Sequence, residues 1–412
     1  MTCRGAASIL AFLVAIALLS PSGSPGLVAG QESRLVFASP SYHWTNVTQG
    51  SYQPCCRALV YDPLNHSTFS VGPPTDQFEN GSWFYRPGST LDLPWNNTRV
   101  IITSATFDAD AGTILAVGFT VCRTHCAAPA PNCTLWSWSS WSWSYLGMIP
   151  GGPYSGAPEI VYDSGDHYDL LSDWGWSEGI RNATTEQTWT YHQGTWANIT
   201  ATSNSPLWAR FSWVDDSATS VVVAFGGCLG LRCGGGVEAL TATFHQGVWT
   251  NLTSQESVAP SPREDAAISF SSECDCVVLF GGDRGFPFTG PYTVFDDTWT
   301  FGAGGWTNVT GSGPSPPGQF FQYPGMADDP VNNAVLLAGG TTAYSERNGG
   351  TWAWGHYSAS APVATAPFPF LLVLELVVPP TLIVLAILPI LVRRRRRRKV
   401  PPPEPASPST WA

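Results

Sequence analysis

The sequence predicts an all-β protein, a six-bladed β-propeller closed by an N-terminal strand, with one C-terminal transmembrane helix. Three observations carry this. One unit recurs six times: an apolar strand, an acidic or polar turn, a second apolar strand, then glycine. A tryptophan-centred hairpin follows that unit. The last copy lacks its final strand, and a spare one stands before the first.

The units are LVYDPLNHSTFSVG (59–72), ATFDADAGTILAVG (105–118), IVYDSGDHYDLLSDWG (160–175), FSWVDDSATSVVVAFGG (211–227), ISFSSECDCVVLFGG (268–282) and GMADDPVNNAVLLAGG (325–340). Their glycines fall at Gly72, Gly118, Gly175, Gly226–Gly227, Gly281–Gly282 and Gly339–Gly340. The spacing is about 50 residues, the pitch of a four-stranded propeller blade. A continuous run such as VVVAF must be buried on both faces, as an inner blade strand is. Glycine lets the chain leave that crowded strand with unusual φ and close backbone approach. The second hairpin reads TWTYHQGTWANIT (188–200), ATFHQGVWTNLT (242–253) and TWTFGAGGWTNVT (298–310), two strands about a Gly-containing turn. Its tryptophans suit the wedge-shaped gaps between twisted sheets.

Closure follows from counting strands. The last unit stops at GTWAW (350–354), without a W-x-N-x-T strand, whereas WTNVT at 44–48 precedes every blade. Pairing the two seals the ring and removes two open edges. A seventh blade would need a divergent unit for which there is no room.

LWSWSSWSWSYL (135–146) occupies the second-hairpin position of unit two. With Ser139–Ser140 as its turn, alternation puts the aromatics on one face, against the next blade. The rival reading is a sugar-stacking strip on an exposed outer strand.

The chain ends are targeting segments. Arg4 precedes an apolar run, Ile9 to Leu19, and a small-residue exit near Gly30, the order of a secretory signal; a retained anchor is the alternative. Phe368–Val392 is apolar apart from Glu375, long enough for the roughly 20 residues of a membrane span. Arg393–Lys399 and a Pro-rich tail follow, and basic residues stay on the cytoplasmic side. Pro379, Pro380 and Pro389 should kink this helix, and Glu375 reads as an interfacial or protonated acid. A cell-wall sorting signal would need a motif such as LPxTG before the stretch, and none is there. The expected domains are a signal (1–30), an ectodomain (31–357), a linker (358–367), the span (368–392) and a cytoplasmic tail (393–412) of a single-pass cell-membrane protein.

Eleven arginines and 28 acids remain in the ectodomain, a net charge near −17. That excludes nucleic acid, whose phosphates demand a basic face. Nine cysteines remain beyond Cys3, an odd number in an oxidising compartment. The local disulfide candidates are Cys228 with Cys233, and two of Cys122, Cys126 and Cys133. The adjacent Cys55 and Cys56, and Cys274 and Cys276 in ECDC, have strained spacings for direct bridges. Cys122–His125–Cys126–Cys133 is a weaker zinc reading.

Hydrophobe–turn–VVVAFGG or VVLFGG, then DDTWTF and a later tryptophan (Trp299 and Trp306 in unit five), resembles the kelch repeat. The match is clearest over 211–354; units one to three diverge and keep a single glycine. The resemblance implies a propeller of the kind at the centre of galactose oxidase. It implies mostly binding or scaffolding modules, with that copper enzyme as one relative. Its copper centre needs two His and two Tyr, one modified by Cys, and no such motif stands out here.

Sequons at Asn46, Asn65, Asn80, Asn96, Asn132, Asn182, Asn198, Asn251 and Asn308 are glycosylation candidates, four of them inside W-x-N-x-T. The pairs Asp215–Asp216, Asp296–Asp297 and Asp328–Asp329 sit at what read as equivalent turn or strand-start positions, where Asp satisfies backbone groups. His192 and His245 share an HQG turn. No GxSxG elbow or P-loop appears; GGPYSG (151–156) and CGGG (233–236) lack a strand–loop–helix context. No catalytic, metal or cofactor residue is assigned. The expectation is a non-catalytic extracellular module that recognises a protein or glycan through loops such as 228–238 and 283–295, with a copper oxidase or glycan-active hydrolase as the alternative.

Overall fold

The computed structural model describes residues 42–358 apart from 50–53, 55–57, 73, 87–90, 92–97, 123–132, 151–157, 175–185, 207–208, 230–235, 285–291, 304, 320–324 and 342–349. The expected signal, the linker beyond Ser358, the span and the cytoplasmic tail lie outside these residues. Among them, no helix is long and apolar enough to cross a membrane.

Six antiparallel blades form the ring, each a path of four strands, and in the fourth a short extra strand, Gly236–Val237, pairs with the second. Their innermost strands are Ala58–Asp62, Thr98–Asp108, Glu159–Asp163, Ala209–Asp216, Ala267–Ser271 and Met326–Asp329. Each touches the next in chain order, and the sixth touches the first. The VVVAF run is the second strand of blade four. Val222, Val223 and Ala224 are fully buried, as its lack of alternation requires.

The sixth sheet is completed by His43–Asn46, which pairs antiparallel with Thr351–Gly355 and sets Trp44 opposite Trp354. Thr48 finishes the closure, its Oγ1 accepting from Thr351 N at 2.9 Å. The same geometry recurs at Thr200, Thr253 and Thr310, which accept from Thr188, Thr241 and Thr298. The asparagine of W-x-N-x-T is used too: Asn46, Asn198, Asn251 and Asn308 accept, through Oδ1, the backbone N–H two residues on. These are Asx turns that end each outer strand.

Blade contacts follow a rule. In five of the six third strands, the aromatic opposite the outer-strand tryptophan has a threonine three residues before it. At four boundaries the tryptophan of one blade donates its indole N–H to that threonine of the preceding blade: Trp83 to Thr351, Trp143 to Thr75, Trp306 to Thr241 and Trp44 to Thr298, at 2.8–3.0 Å. At the boundary of blades three and four the corresponding atoms, Trp249 Nε1 and Thr188 Oγ1, are buried without a hydrogen-bond partner. Between blades two and three the threonine position holds Leu135, and Trp196 is half-buried against the cluster that contains it.

The turn after each inner strand has four residues and ends in a left-handed residue: His66, Gly112, His167, Ser220, Asp275 and Asn333. In five blades an aspartate caps it, as Asp62, Asp108, Asp163, Asp216 and Asp329. Blade five has Ser271 instead, and its turn is closed by a direct Cys274–Cys276 disulfide with Cα atoms 5.2 Å apart. That corrects the expectation that this pair was too strained. The four-residue turn carries both Cα atoms into bridging range.

Two further expectations need correction. The aromatic hairpin turns at Ser140–Trp141, not Ser139–Ser140; both residues are left-handed, at φ 50° and 66°. The turn therefore sets Trp138 opposite Trp143 and Trp136 opposite Tyr145 on one buried face. Second, Asp296–Asp297 is not equivalent to the other acid pairs: it precedes a third strand. The double glycines behave as expected. Gly226 and Gly281 have positive φ, and a Cβ there would strike the carbonyl oxygen of Arg263 or Gln319. Gly118, by contrast, lies within a strand opposite a bulge at Ile102–Ser104, and Gly175 lies outside the described residues.

Candidate functional site

Three places on the ring collect chemistry. The first is the axial channel, a cavity of about 250 Å³ lined by all six inner strands. The residue just before each turn cap stands at the same level: Tyr61, Phe107, Tyr162, Asp215, Phe270 and Asp328. Asp215 Oδ1 accepts from the backbone N and hydroxyl of Ser164 in blade three, at 3.0 and 2.9 Å. Asp328 is bonded in the same way by Ser272 of blade five. Burial pushes both carboxyls up to about 6, against the pull of those serine donors. Asp163, in the neighbouring turn, also rises to about 6, chiefly by desolvation.

The second place joins blades four and five where their inner strands begin. Arg210, itself left-handed at φ 60°, pairs with Asp265 and lies 3.2 Å from Glu264 Oε2. Glu264 and Asp283 exchange backbone hydrogen bonds at 2.9 Å, and Tyr292 bonds the Asp283 carboxyl. One guanidinium thus serves three carboxylates. Burial raises Glu264, Asp265 and Asp283, and Arg210 opposes that rise. Burial draws Arg210 down, but the three acids hold it above its usual value. Beside them Arg263, fully buried, is bidentate to Asp297 at 2.5 and 2.9 Å, lies over Phe295 and bonds the Gly281 carbonyl. Asp297 also accepts from Trp299 Nε1 at 2.7 Å. That pins the DDTWTF segment to the double glycine.

The third place is the outer rim of blades one and two. Phe84, Tyr85 and Trp141 are 46, 53 and 45% exposed, and Leu146 and Met148 are exposed as well. Trp136, Trp138 and Trp143 of the same hairpin are buried. The aromatic row is therefore packing for three tryptophans and surface for one. The Arg86 guanidinium lies 5.3 Å from the Trp141 ring centroid and is held by Gln77 and Glu79. At the matching turns of blades one, three and four the second residue is glycine, as Gly81, Gly194 and Gly247. A tryptophan there bears a left-handed backbone that glycine tolerates and bulky residues resist.

Of the sequons, Asn46, Asn65, Asn80, Asn198, Asn251 and Asn308 are exposed; Asn96, Asn132 and Asn182 lie outside the described residues. Cys228 is disulfide-bonded and Cys133 is buried, while Cys126 and Cys233 lie outside the described residues. His192 and His245 end strands next to Gln-Gly turns, opposite Thr195 and Val248. Sequence reasoning missed the Arg210 cluster. The faint signal was PREDA (262–266), a run of charges against a strand in a chain only 12% charged.

No protein-family model matches the chain, and no curated protein matches it. Solved structures do. A fungal alcohol oxidase of the AA5 family, in complex with copper, is 12% identical over 73% of this chain and 62% of its own, with a TM-score of 0.44. This chain thus spans less than two thirds of that protein. A Bacteroides thetaiotaomicron protein of unknown function is 8% identical over 76% of each chain, with a TM-score of 0.45. A GH43 β-1,3-galactosidase with galactodeoxynojirimycin is 9% identical over 63% of this chain and 97% of its own, with a TM-score of 0.38. Likenesses this distant carry no argument about activity. The six-bladed ring rests on the strand pairing of the chain itself.

Proposed function

We propose that this chain is a membrane-anchored, extracellular propeller of the kelch type that binds a protein or glycan partner without catalysis. A contrast in exposure carries the reading. The Glu264 and Asp265 side chains are 1 and 7% exposed and turned on Arg210, whereas the rim of blades one and two presents Phe84, Tyr85 and Trp141 to solvent. Flat aromatic side chains beside Arg86, Gln77 and Glu79 suit partner surfaces that mix apolar faces with hydroxyl groups. The acidic ectodomain and the basic segment after residue 392 fit an outside–inside arrangement.

The test is the full-length chain in non-ionic detergent on a printed glycan array, beside cross-linking to surface proteins. Trp141→Gly restores the residue that other blades use, so it should fold at least as well. Partner binding should fall at least tenfold. Binding that ignores Trp141→Gly would overturn the rim as the recognition surface. A second reading is an enzyme, favoured by the raised Glu264 and Asp283 carboxyls, since acids held near neutrality suit proton transfer. Turnover of a sugar substrate that Asp283→Asn abolishes would place the chain there.

A further inference from the structure

We infer that the axial channel binds a small organic ammonium ion, held by the Asp215 and Asp328 carboxylates against an aromatic wall of Tyr61, Phe107, Tyr162 and Phe270. Both carboxylates line the cavity at the level of those four rings, and no Lys, Arg or His lines it among the described residues. Ring faces attract a cation, and a carboxylate supplies the opposite charge. The remaining lining is mostly apolar, with Leu59, Ile160, Trp213, Ile268 and Met326, and the hydroxyls of Ser104, Thr106 and Ser269 are engaged with backbone groups. A hard metal ion asks for six or more oxygens, whereas an alkylammonium buries its own methyl groups against such walls. At about 250 Å³ the space suits a small ligand.

The plainer reading is that both acids only latch blades together through Ser164 and Ser272. It leaves something unused. Asp328 Oδ1 is shielded from solvent, and so from direct contact with a channel ligand, and has no hydrogen-bond partner; the charge of such a buried carboxylate is poorly compensated, which is costly. A cation in the channel offsets that cost. The raised titration of both carboxyls agrees with two anions awaiting a counter-charge.

The experiment uses the full-length chain in non-ionic detergent with tetramethylammonium chloride. Tert-butanol is the neutral counterpart and sodium chloride the ionic-strength control. Saturable thermal stabilisation and calorimetric binding are expected for tetramethylammonium alone. Asp215→Asn and Asp328→Asn should each weaken it at least tenfold, and Asn keeps an acceptor for the serine. Should either fail to fold, Phe270→Leu is measured instead: weaker binding supports the site and unchanged binding counts against it. Equal effects of tetramethylammonium and tert-butanol, or Asn variants that bind like the parent, overturn the inference. Trp141→Gly should leave this binding untouched, so the channel and the rim stand or fall separately.

Discussion

The four latched blade boundaries and the two that flank blade three are built from the same strands, yet they are held differently. At the latched ones an indole N–H crosses to a threonine hydroxyl. At the boundary of blades three and four both groups are present, buried and unbonded. Between blades two and three, Leu135 supplies no hydroxyl at all. Apolar burial is common to all six, so burial assembles the ring and the latch fixes how blades sit against each other. Blade three is therefore where the ring should open first under stress.

The largest effect should come from breaking a latched boundary that is also the closure. Trp44 is 5% exposed, donates to Thr298 and packs edge-on to Phe280. Trp44→Ala should cost about 3–5 kcal/mol for the lost side chain, and it frees the edge of the sixth sheet. Calorimetry should show a much lower melting temperature, and limited proteolysis should cut near the sixth blade first. A variant that melts like the parent would mean that the N-terminal strand does not hold the ring.

Acidification should come next, and it should favour the unlatched side. Asp163, Asp215 and Asp328 all titrate near 6 when folded, above an ordinary aspartate. A raised carboxyl contributes stability that is complete below its unfolded pKa and lost as pH rises through the folded value. Melting temperature should thus rise by a few degrees from pH 7.5 to 5. Asp215 takes its bonds from Ser164 in blade three, so much of that gain falls on the boundary with the unbonded Trp249 and Thr188. Asp215→Asn should flatten the pH dependence. A ring that loses stability on acidification over that range would contradict the assignment.

A smaller pair of substitutions isolates the latch. Trp306→Phe and Trp249→Phe remove the same atoms from equivalent buried positions. Only the first breaks a hydrogen bond, so it should cost about 1–2 kcal/mol more than the second. Equal losses in chemical denaturation would show that the Trp–Thr contact adds nothing beyond packing.

Much of this was legible before any coordinates. Six units, the double glycines and the orphaned WTNVT strand dictate blade count and closure, because each is a local pattern with one geometric solution. The burial of the hairpin tryptophans followed from alternation. Their threonine partners did not, since Thr241 and Trp306 stand 65 residues apart and meet only through the twist between blades. Serine's taste for turns hid the true turn at Ser140–Trp141, where a tryptophan takes a backbone conformation that its own bulk disfavours. The Arg210 cluster draws on three separate segments, and nothing within any one of them announces the other two. The channel acids were read as turn residues, which fits Asp216 and Asp329. The one-residue offset of Asp215 and Asp328 toward the axis appears only once six inner strands stand side by side.

The finest test tries to install a latch where the sequence lacks one. Leu135→Thr places a hydroxyl at the position that Thr75 and Thr241 occupy in their blades, facing Trp196. Leu135 is 2% exposed, so the exchange loses about 1–2 kcal/mol of apolar burial and regains about 1 kcal/mol if the bond forms. The single variant should be nearly neutral to slightly destabilised, which by itself decides little. The cycle with Trp196→Phe decides it, because a bonded pair couples and a merely adjacent pair does not. A coupling of about 1 kcal/mol would mean that blade three sits in the common geometry and lacks only the hydroxyl. Zero coupling would mean that the blade itself is tilted out of reach, and then the unbonded Trp249 and Thr188 on its other side have the same cause.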